Sequence, residues 1–413
     1  MCMKTFVKNS KLLLFIILLS TCLYGCSNSQ DNSKETSKET SKEKAAAVHQ
    51  EPSSSGKNAG LLIGLSKDNE LNKNMNPLKR LPNDYRTLWI SKINGKITSS
   101  EKKNEILTPY KDGFYKVTNN KFLMTEPKSG SDNTPNDIYK NFSYYYNFSN
   151  IISQAADKPI KNLFTEETFK KTYLTLEEGN LGQPYKSQTE WLWYVGNNYA
   201  CVMDYNFLTG GGSFSSQFND FKIYDLNNLA SLDGRKKSSS LVDLLDSNEK
   251  TKLDGYAEKY NKIIPSDNKL IKTEEKIDIK NLLLTRKDGG WKVLLPLYSV
   301  YEHAGNGSSG RIIKQYIPTD IKLPKAITSY DDLYIGWNTI KQKFPEAKDA
   351  VSSPNKDMLA VLTPTKLLVF NNPEKGLENP SLSIDVDSNE SIILNQWSTG
   401  DYVEKWDKVL KTY

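Results

Sequence analysis

Glycine-bearing turn signals cut this chain into short apolar-aromatic runs, and that spacing limits the folds open to it. Asn94-Gly95 interrupts "RTLWISKINGKI" (Arg86 to Ile97), and Asp112-Gly113 interrupts "EILTPYKDGFYKV" (Glu105 to Val117). Asp288-Gly289-Gly290 does the same in "NLLLTRKDGGWKVLLP" (Asn281 to Pro296). "EWLWYVGNNYACVMDYNFL" (Glu190 to Leu208) turns at Gly196-Asn197-Asn198. "SLSIDVDSNESIILNQW" (Ser381 to Trp397) is expected to turn within Asp387 to Glu390. Asn-Gly and Asp-Gly accept the positive φ angles of two-residue hairpin turns, so each pair of runs reads as an antiparallel hairpin. The expected fold is mainly β, multiple antiparallel hairpins with a few helices. A two-domain α+β chain is the alternative.

Three helices are expected. Leu253, Tyr256, Ala257, Tyr260, Ile263 and Ile264 share one helical face that Pro265 would end. Leu333, Trp337, Ile340 and Phe344 form a second face, with Ser329 and Asp332 suited to its start and Pro345 to its end. Tyr402, Trp406, Val409 and Leu410 make a terminal stripe, with Asp401 placed as N-cap and Glu404 three residues on.

The N-terminal end carries an address. Lys4, Lys8 and Lys11 precede the apolar run Leu12 to Leu19, and small and polar residues follow to Gly25. That is the layout of a secretory signal, and the run is too short for a spanning helix of about 20 residues. "LYGC" (Leu23 to Cys26) resembles the lipobox of bacterial lipoproteins, with Tyr24 where a small residue is usual. The resemblance implies cleavage before Cys26 and a diacylglyceryl group on its sulfur. Two acyl chains, at about 0.8 kcal/mol per buried methylene, give stable anchoring. Residues 27–60 contain "SKETSKETSKEK" and no aromatics, a composition that cannot offset its ordering entropy by burial. As a flexible tether it would span about 30–35 Å. The expected division is therefore a signal at 1–25, a lipidated tether at 26–60, a β-rich domain at 61–320 and a β-rich segment with a terminal helix at 321–413.

Two further stretches resemble known families. "DAVSSPNKDMLAVLTPTKLLVFN" (Asp349 to Asn371) resembles one blade of a TolB-type β-propeller. Ser353 and Pro354 match its Ser-Pro-Asp-Gly turn, while Asn355 and Lys356 stand in place of the Asp and Gly. "FKIYDLNNL" (Phe221 to Leu229), followed by "SSSLVDLLD" (Ser238 to Asp246), is similar to a domain of unknown function in Gram-positive envelope proteins, anti-sigma factors among them. Neither resemblance brings catalytic residues to this chain.

Composition narrows the chemistry. Removing 1–25 removes three lysines and no acids, which takes the formal charge from +6 to +3. With no basic block, a nucleic-acid partner is not expected. Cys2 and Cys22 leave with the signal and Cys26 is lipidated, so Cys201 remains as a buried structural thiol with no disulfide partner. His303 is the one histidine beyond the tether, in the loop "HAGNGSSG" (His303 to Gly310). One cysteine and one histidine do not make a zinc site. Asp385, Asp387 and Asn389 follow calcium-loop spacing, but Glu390 and Gln396 replace the glycine and bidentate glutamate such a loop needs. A polar turn explains them better, and no cofactor or metal is expected.

Aromatics give the binding candidates. Trp191 and Trp193 share one strand face by the two-residue period, as do Tyr144, Tyr146 and Phe148 in "SYYYNF". Exposed rings stack on sugars or peptides; buried ones are simply core. Glu190, beside the tryptophans, is the acid to inspect for glycan hydrolysis, and the glycine-rich "TGGGSFSS" (Thr209 to Ser216) is a loop near them. The expected function is a lipid-anchored extracytoplasmic lipoprotein that binds or senses a cell-wall polymer or envelope protein without catalysis. A structural or assembly lipoprotein and a carboxylate-based envelope hydrolase are the alternatives. The lipidation reading predicts that Cys26→Ser moves the protein from the membrane fraction to the soluble fraction. Membrane retention of that variant after a high-salt wash would refute it.

Overall fold

The strand β1, Ala59–Lys67, is buried on nearly its whole length, and a strand buried on both faces must lie between partners and between layers. It pairs antiparallel with β2 (Asp84–Ile93) on one side and with the last strand of the chain, β19 (Glu390–Thr399), on the other. β3 (Lys96–Lys103) completes the order β19-β1-β2-β3. Residues 61–320 and 321–413 thus share a sheet. The computed structural model describes residues 58–68, 83–110, 113–124, 141–150, 185–209, 215–227, 238–265, 271–303 and 309–413, all within the unit Ser54–Tyr413. It describes the backbone alone at 119–124, 141–150, 185–190, 204–209, 215–219, 271, 303 and 309.

Three further sheets are described, and the protein is mainly β. β4 (Glu105–Tyr110), β5 (Gly113–Met124), β6 (Asn141–Asn150), β7 (Tyr185–Val195), β8 (Tyr199–Thr209) and β9 (Ser215–Asp225) lie side by side in chain order. All neighbours there are antiparallel except β6 and β7, which pair in parallel. A third sheet runs from β10 (Lys262–Ile264) through β11 (Ile271–Ile277), β12 (Leu283–Lys287), β13 (Gly290–His303) and β14 (Ser309–Pro318). Its long central strand β13 pairs with β11 and β12 in succession and also with β14. The fourth is a meander of β15 (Asp349–Ser352), β16 (Met358–Leu362), β17 (Lys366–Asn371) and β18 (Leu382–Asp385).

The sheets pack face to face in succession. Leu61, Ile63 and Leu65 meet Val351, Met358, Ala360 and Leu367 of the meander. Leu62, on the opposite face of β1, joins Ile106, Phe114, Leu192 and Val202 of the six-stranded sheet. That sheet's other face, through Tyr194, Cys201 and Phe221, packs on Leu283, Trp291 and Val293. The glycines of β1 make the close approach possible. A Cβ on Gly60 would lie 2.1 Å from the Trp89 ring, and one on Gly64 2.8 Å from Leu394 Cβ.

The local turn chemistry is as the residues require. Asn94 and Gly95 take φ of 50° and 78°, and Asp288 and Gly289 take 57° and 77°, both in two-residue hairpins. In the blade-like meander, Ser353 Oγ donates to Asp357 Oδ1 and accepts from the Asp357 and Met358 N–H groups. Lys356, where the resembling family has glycine, keeps the left-handed φ of 63°.

Four expectations change. Ser381 to Trp397 is not a hairpin: β18 pairs β17, whereas β19 pairs β1. β18 alternates between half-buried and exposed, while β19 is buried almost throughout, so the two belong to different layers. The first helix is Ser247–Tyr260, with Asp246 capping it by accepting from the Glu249 N–H. It ends before Ile263 and Ile264, which form β10. The second helix is only Trp337–Lys343, capped by Gly336 rather than begun near Ser329. The terminal helix, Asp401–Thr412, is capped by Gly400 at φ 59°, and it buries Val403 and Leu410 while Tyr402 is exposed. Among the described residues no helix is long and apolar enough to cross a membrane.

The Gly60 contact predicts that Gly60→Ala destabilises the protein by about 1–3 kcal/mol, the usual cost of overpacking. The midpoint of urea unfolding would read it, and an unchanged midpoint would show that Trp89 moves aside freely.

Candidate functional site

Arg286 sits on β12, two residues before the Asp288-Gly289 hairpin turn, and its side chain is 3% exposed. A guanidinium has five N–H donors in a fixed fork, and here all five are used. Nε donates to Asp349 Oδ2 at 2.7 Å and Nη2 to Asp349 Oδ1 at 3.4 Å. Nη1 donates to Asp331 Oδ1 and to Asn395 Oδ1, and Nη2 also donates to the Ala350 carbonyl. Asp331 Oδ2 accepts from the Trp291 N–H at 2.7 Å. Burial pushes the Asp331 carboxyl above its ordinary range, against the pull of Arg286. The guanidinium also lies 5.2 Å from the Trp291 ring centre. One side chain therefore ties β12, β15 and β19, strands of three sheets.

A cavity of about 610 Å³ opens where these strands meet β7, within the 300–1,000 Å³ usual for small-ligand sites. Its walls include Trp191 and Trp193 from β7, Arg286 from β12, and Lys348 and Asp349 at the start of β15. Asp68, Asn83 and Asn389 add further polar side chains to the lining. The ladder between β7 and β8 shifts between Leu192 and Tyr194. Trp193 is the extra residue of that bulge, so the strand's alternation restarts after it. As a result Trp191, Trp193 and Tyr194 all join the core cluster shared with the third sheet, whereas Leu192 joins the opposite one. Trp193 is half-buried. Its Nε1–H donates to the Leu284 carbonyl, and its ring meets Phe221 edge-on at 6.1 Å. Trp191 is 6% exposed. It is a core side chain with one edge on the cavity, not the exposed platform that stacking on a surface would need.

Lys348 reaches the same space. Its Nζ donates to the Ser388 and Glu390 carbonyls at 2.8 and 2.6 Å. Burial holds its amine below the ordinary lysine value, outweighing the pull of Glu390 and Asp349.

The other expected residues lie elsewhere. Cys26 and the loop 210–214 fall outside the described residues. Tyr144 and Tyr146 lie on β6, where Tyr144 pairs with Thr189 and Tyr146 with Asn119; their side chains are outside the described ones, as are those of Glu190 and His303. Cys201 is fully buried, and burial pushes its thiol up to about 12, which suits a structural role. The calcium-spaced residues do not converge. Asp385 pairs with Lys366 and Asp387 with Lys67, while Asn389 donates to the Asp68 carbonyl. Among the described residues no cluster of three metal-ligating side chains forms.

Sequence reasoning reached the two tryptophans and missed Arg286, Lys348 and Asp349. The available signal was slight: one arginine inside a strand otherwise rich in leucine, and a Lys-Asp pair opening a buried strand. No family model, curated protein or solved structure matches this chain.

The Arg286 fork predicts that Arg286→Ala costs about 3–5 kcal/mol, because Asp349 and Asp331 are left buried without their cation. The Asp331 carboxyl, which burial already pushes up, then loses the cation that opposes the shift and protonates more readily in the folded state than in the unfolded state, so folding takes up a proton. The deficit, read by chemical denaturation, should shrink as the pH falls from neutral to mildly acidic. A deficit independent of pH would refute the charge argument.

Proposed function

We propose that this chain is a lipid-anchored extracytoplasmic protein that binds, without catalysis, a unit of a cell-wall polymer in the cavity between its sheets. The observation that carries the reading is that cavity. It combines the half-buried Trp193 ring with fixed polar groups, the mixture by which sites orient a ligand that has both a flat face and polar edges. The lipobox and tether would hold it within reach of the wall. The acids next to the cavity favour binding over hydrolysis. Asp349 on the cavity wall and Asp331 beside it are both committed to Arg286, which leaves Asp68 as the lining carboxyl outside that fork, whereas glycan cleavage needs one carboxyl free to give a proton and another free to attack or to activate water. The antiparallel meander, the pairing of β1 with β19 and the meeting of strands from four sheets at one cavity support the propeller-like reading of the hairpins.

Co-sedimentation with purified cell-wall sacculi tests this. Saturable binding is expected, weakened at least tenfold by Trp193→Ala in protein whose circular dichroism is unchanged. Trp191→Ala is the wrong control, since emptying that core position should cost about 3–5 kcal/mol of stability. Absence of binding would refute the wall-polymer reading, and time-dependent release of soluble fragments would replace it with hydrolysis.

A further inference from the structure

Two cations line the cavity, and their hydrogen bonds divide them into different roles. Arg286 has no donor left. An ammonium has three N–H donors, and Lys348 gives two of them to the Ser388 and Glu390 carbonyls. One donor remains at the cavity wall. The charge is uncompensated as well. The carboxylates that act on Lys348 are Glu390 and Asp349. Glu390 is held by Arg86, through Nε at 2.7 Å and Nη2 at 2.6 Å. Asp349 is held by Arg286 and by the Ala350 N–H at 2.8 Å. Among the described residues, the other sheltered cations each have a carboxylate of their own: Lys92 has Asp357 at 2.7 Å, and Arg86 and Arg286 have those just named. Lys348 alone in that set rests on neutral carbonyls. A half-buried ammonium in that state gains from an added anion, because a charge taken from water is costly until it is paired.

We propose that Lys348 is the anchoring group of the cavity and that the ligand presents it with an oxyanion, a carboxylate or a phosphate, next to a ring that packs on Trp193. This rests on the cavity being the binding site, and it specifies the ligand as an acidic saccharide unit. Arg286 shapes the site without touching the ligand. The main-chain carbonyls of Ser388 and Glu390 aim the ammonium, and the covered setting strengthens its pull on the anion. The low amine value expected from burial should rise when the anion binds, since an opposite charge favours the protonated form.

The test uses the full chain, purified in detergent, with tryptophan fluorescence as the readout. The probes are glucuronate, glucose 1-phosphate and glucose, which share a ring and differ in charge. At least one acid should quench saturably and bind at least tenfold more tightly than glucose. The stronger of the two distinguishes carboxylate from phosphate as the natural group. Lys348→Met should abolish the preference for acid, and Lys348→Arg should keep it. Lys343→Met, at an exposed site paired with Glu378, should change nothing. Equal binding of acids and glucose overturns the proposal, as does silence from both acids. If Lys348→Met does not fold, the wild-type comparison of acid with neutral sugar decides alone. Sacculus binding that survives Lys348→Met overturns the anchor while leaving the wall-binding reading in place. Loss of sacculus binding in the wild type would overturn that reading whatever the small acids do.

Discussion

The pairing of Ala59–Lys67 with Glu390–Thr399 joins segments about 325 residues apart, and the arrangement of the four sheets depends on it. Closing so long a loop costs roughly 5 kcal/mol by the logarithmic law for flexible chains. Burial offsets that cost. Leu61, Leu62, Ile63 and Leu65 are fully buried, and each such side chain contributes about 1.5–3 kcal/mol relative to exposure. The two faces of β1 serve two different cores, so the strand holds the meander on one side and the six-stranded sheet on the other. β19 then brings Asn395 to Arg286 and Ile392 and Ile393 to the cavity wall. The pairing of these two strands therefore supplies part of the cavity wall.

Charge then ties the layers where apolar packing alone would let them slide. Arg286 connects the third sheet to the meander and to β19. Lys92 on β2 reaches Asp357, in the turn between β15 and β16. Arg86 on β2 reaches Glu390 and also the Asp385 carbonyl at the end of β18. Such buried pairs add little net stability, because desolvation cancels much of the attraction. They fix orientation instead, since a displaced partner would leave a charge buried alone. Lys348 stands out against this background: the two acids that act on it, Glu390 and Asp349, are each held by an arginine, and its own hydrogen-bond partners are carbonyls.

Much of the fold could be read locally because its hairpins are closed by local chemistry. Asn94-Gly95 and Asp288-Gly289 need positive φ and have the residues for it, so strand identity followed from a few neighbouring side chains. Ser381 to Trp397 shows where that reasoning ends. It has the polar turn of a hairpin, but its two strands answer to different sheets, and only the continuous burial of Ile392, Ile393 and Leu394 explains the split. The left-handed Lys356 is a similar case. Its conformation is set by the Ser353 hydrogen bonds around it, not by its own preference. The polar half of the site was illegible for the same reason. Arg286, Asp331, Asp349 and Asn395 are scattered over the sequence and meet only after three of the sheets have packed.

The tryptophans of β7 show why core and site were hard to separate in advance. A strand at the meeting point of several sheets presents one face to a core and one edge to whatever space the sheets leave. Trp191 satisfies both descriptions: it is buried against the third sheet and still borders the cavity. The two-residue period had placed Trp193 on the same face as Trp191. The bulge keeps it there but adds Tyr194, whose hydroxyl donates to the Ile327 carbonyl and whose ring meets Trp291 edge-on at 4.8 Å. Three aromatics within four residues thereby crowd one side, and they cannot all be covered to the same depth. Trp193 is the one left half-covered, its indole N–H tied to Leu284, and it lines the cavity with Arg286. An extra residue in one strand is enough to convert part of a hydrophobic core into a wall that a ligand can touch.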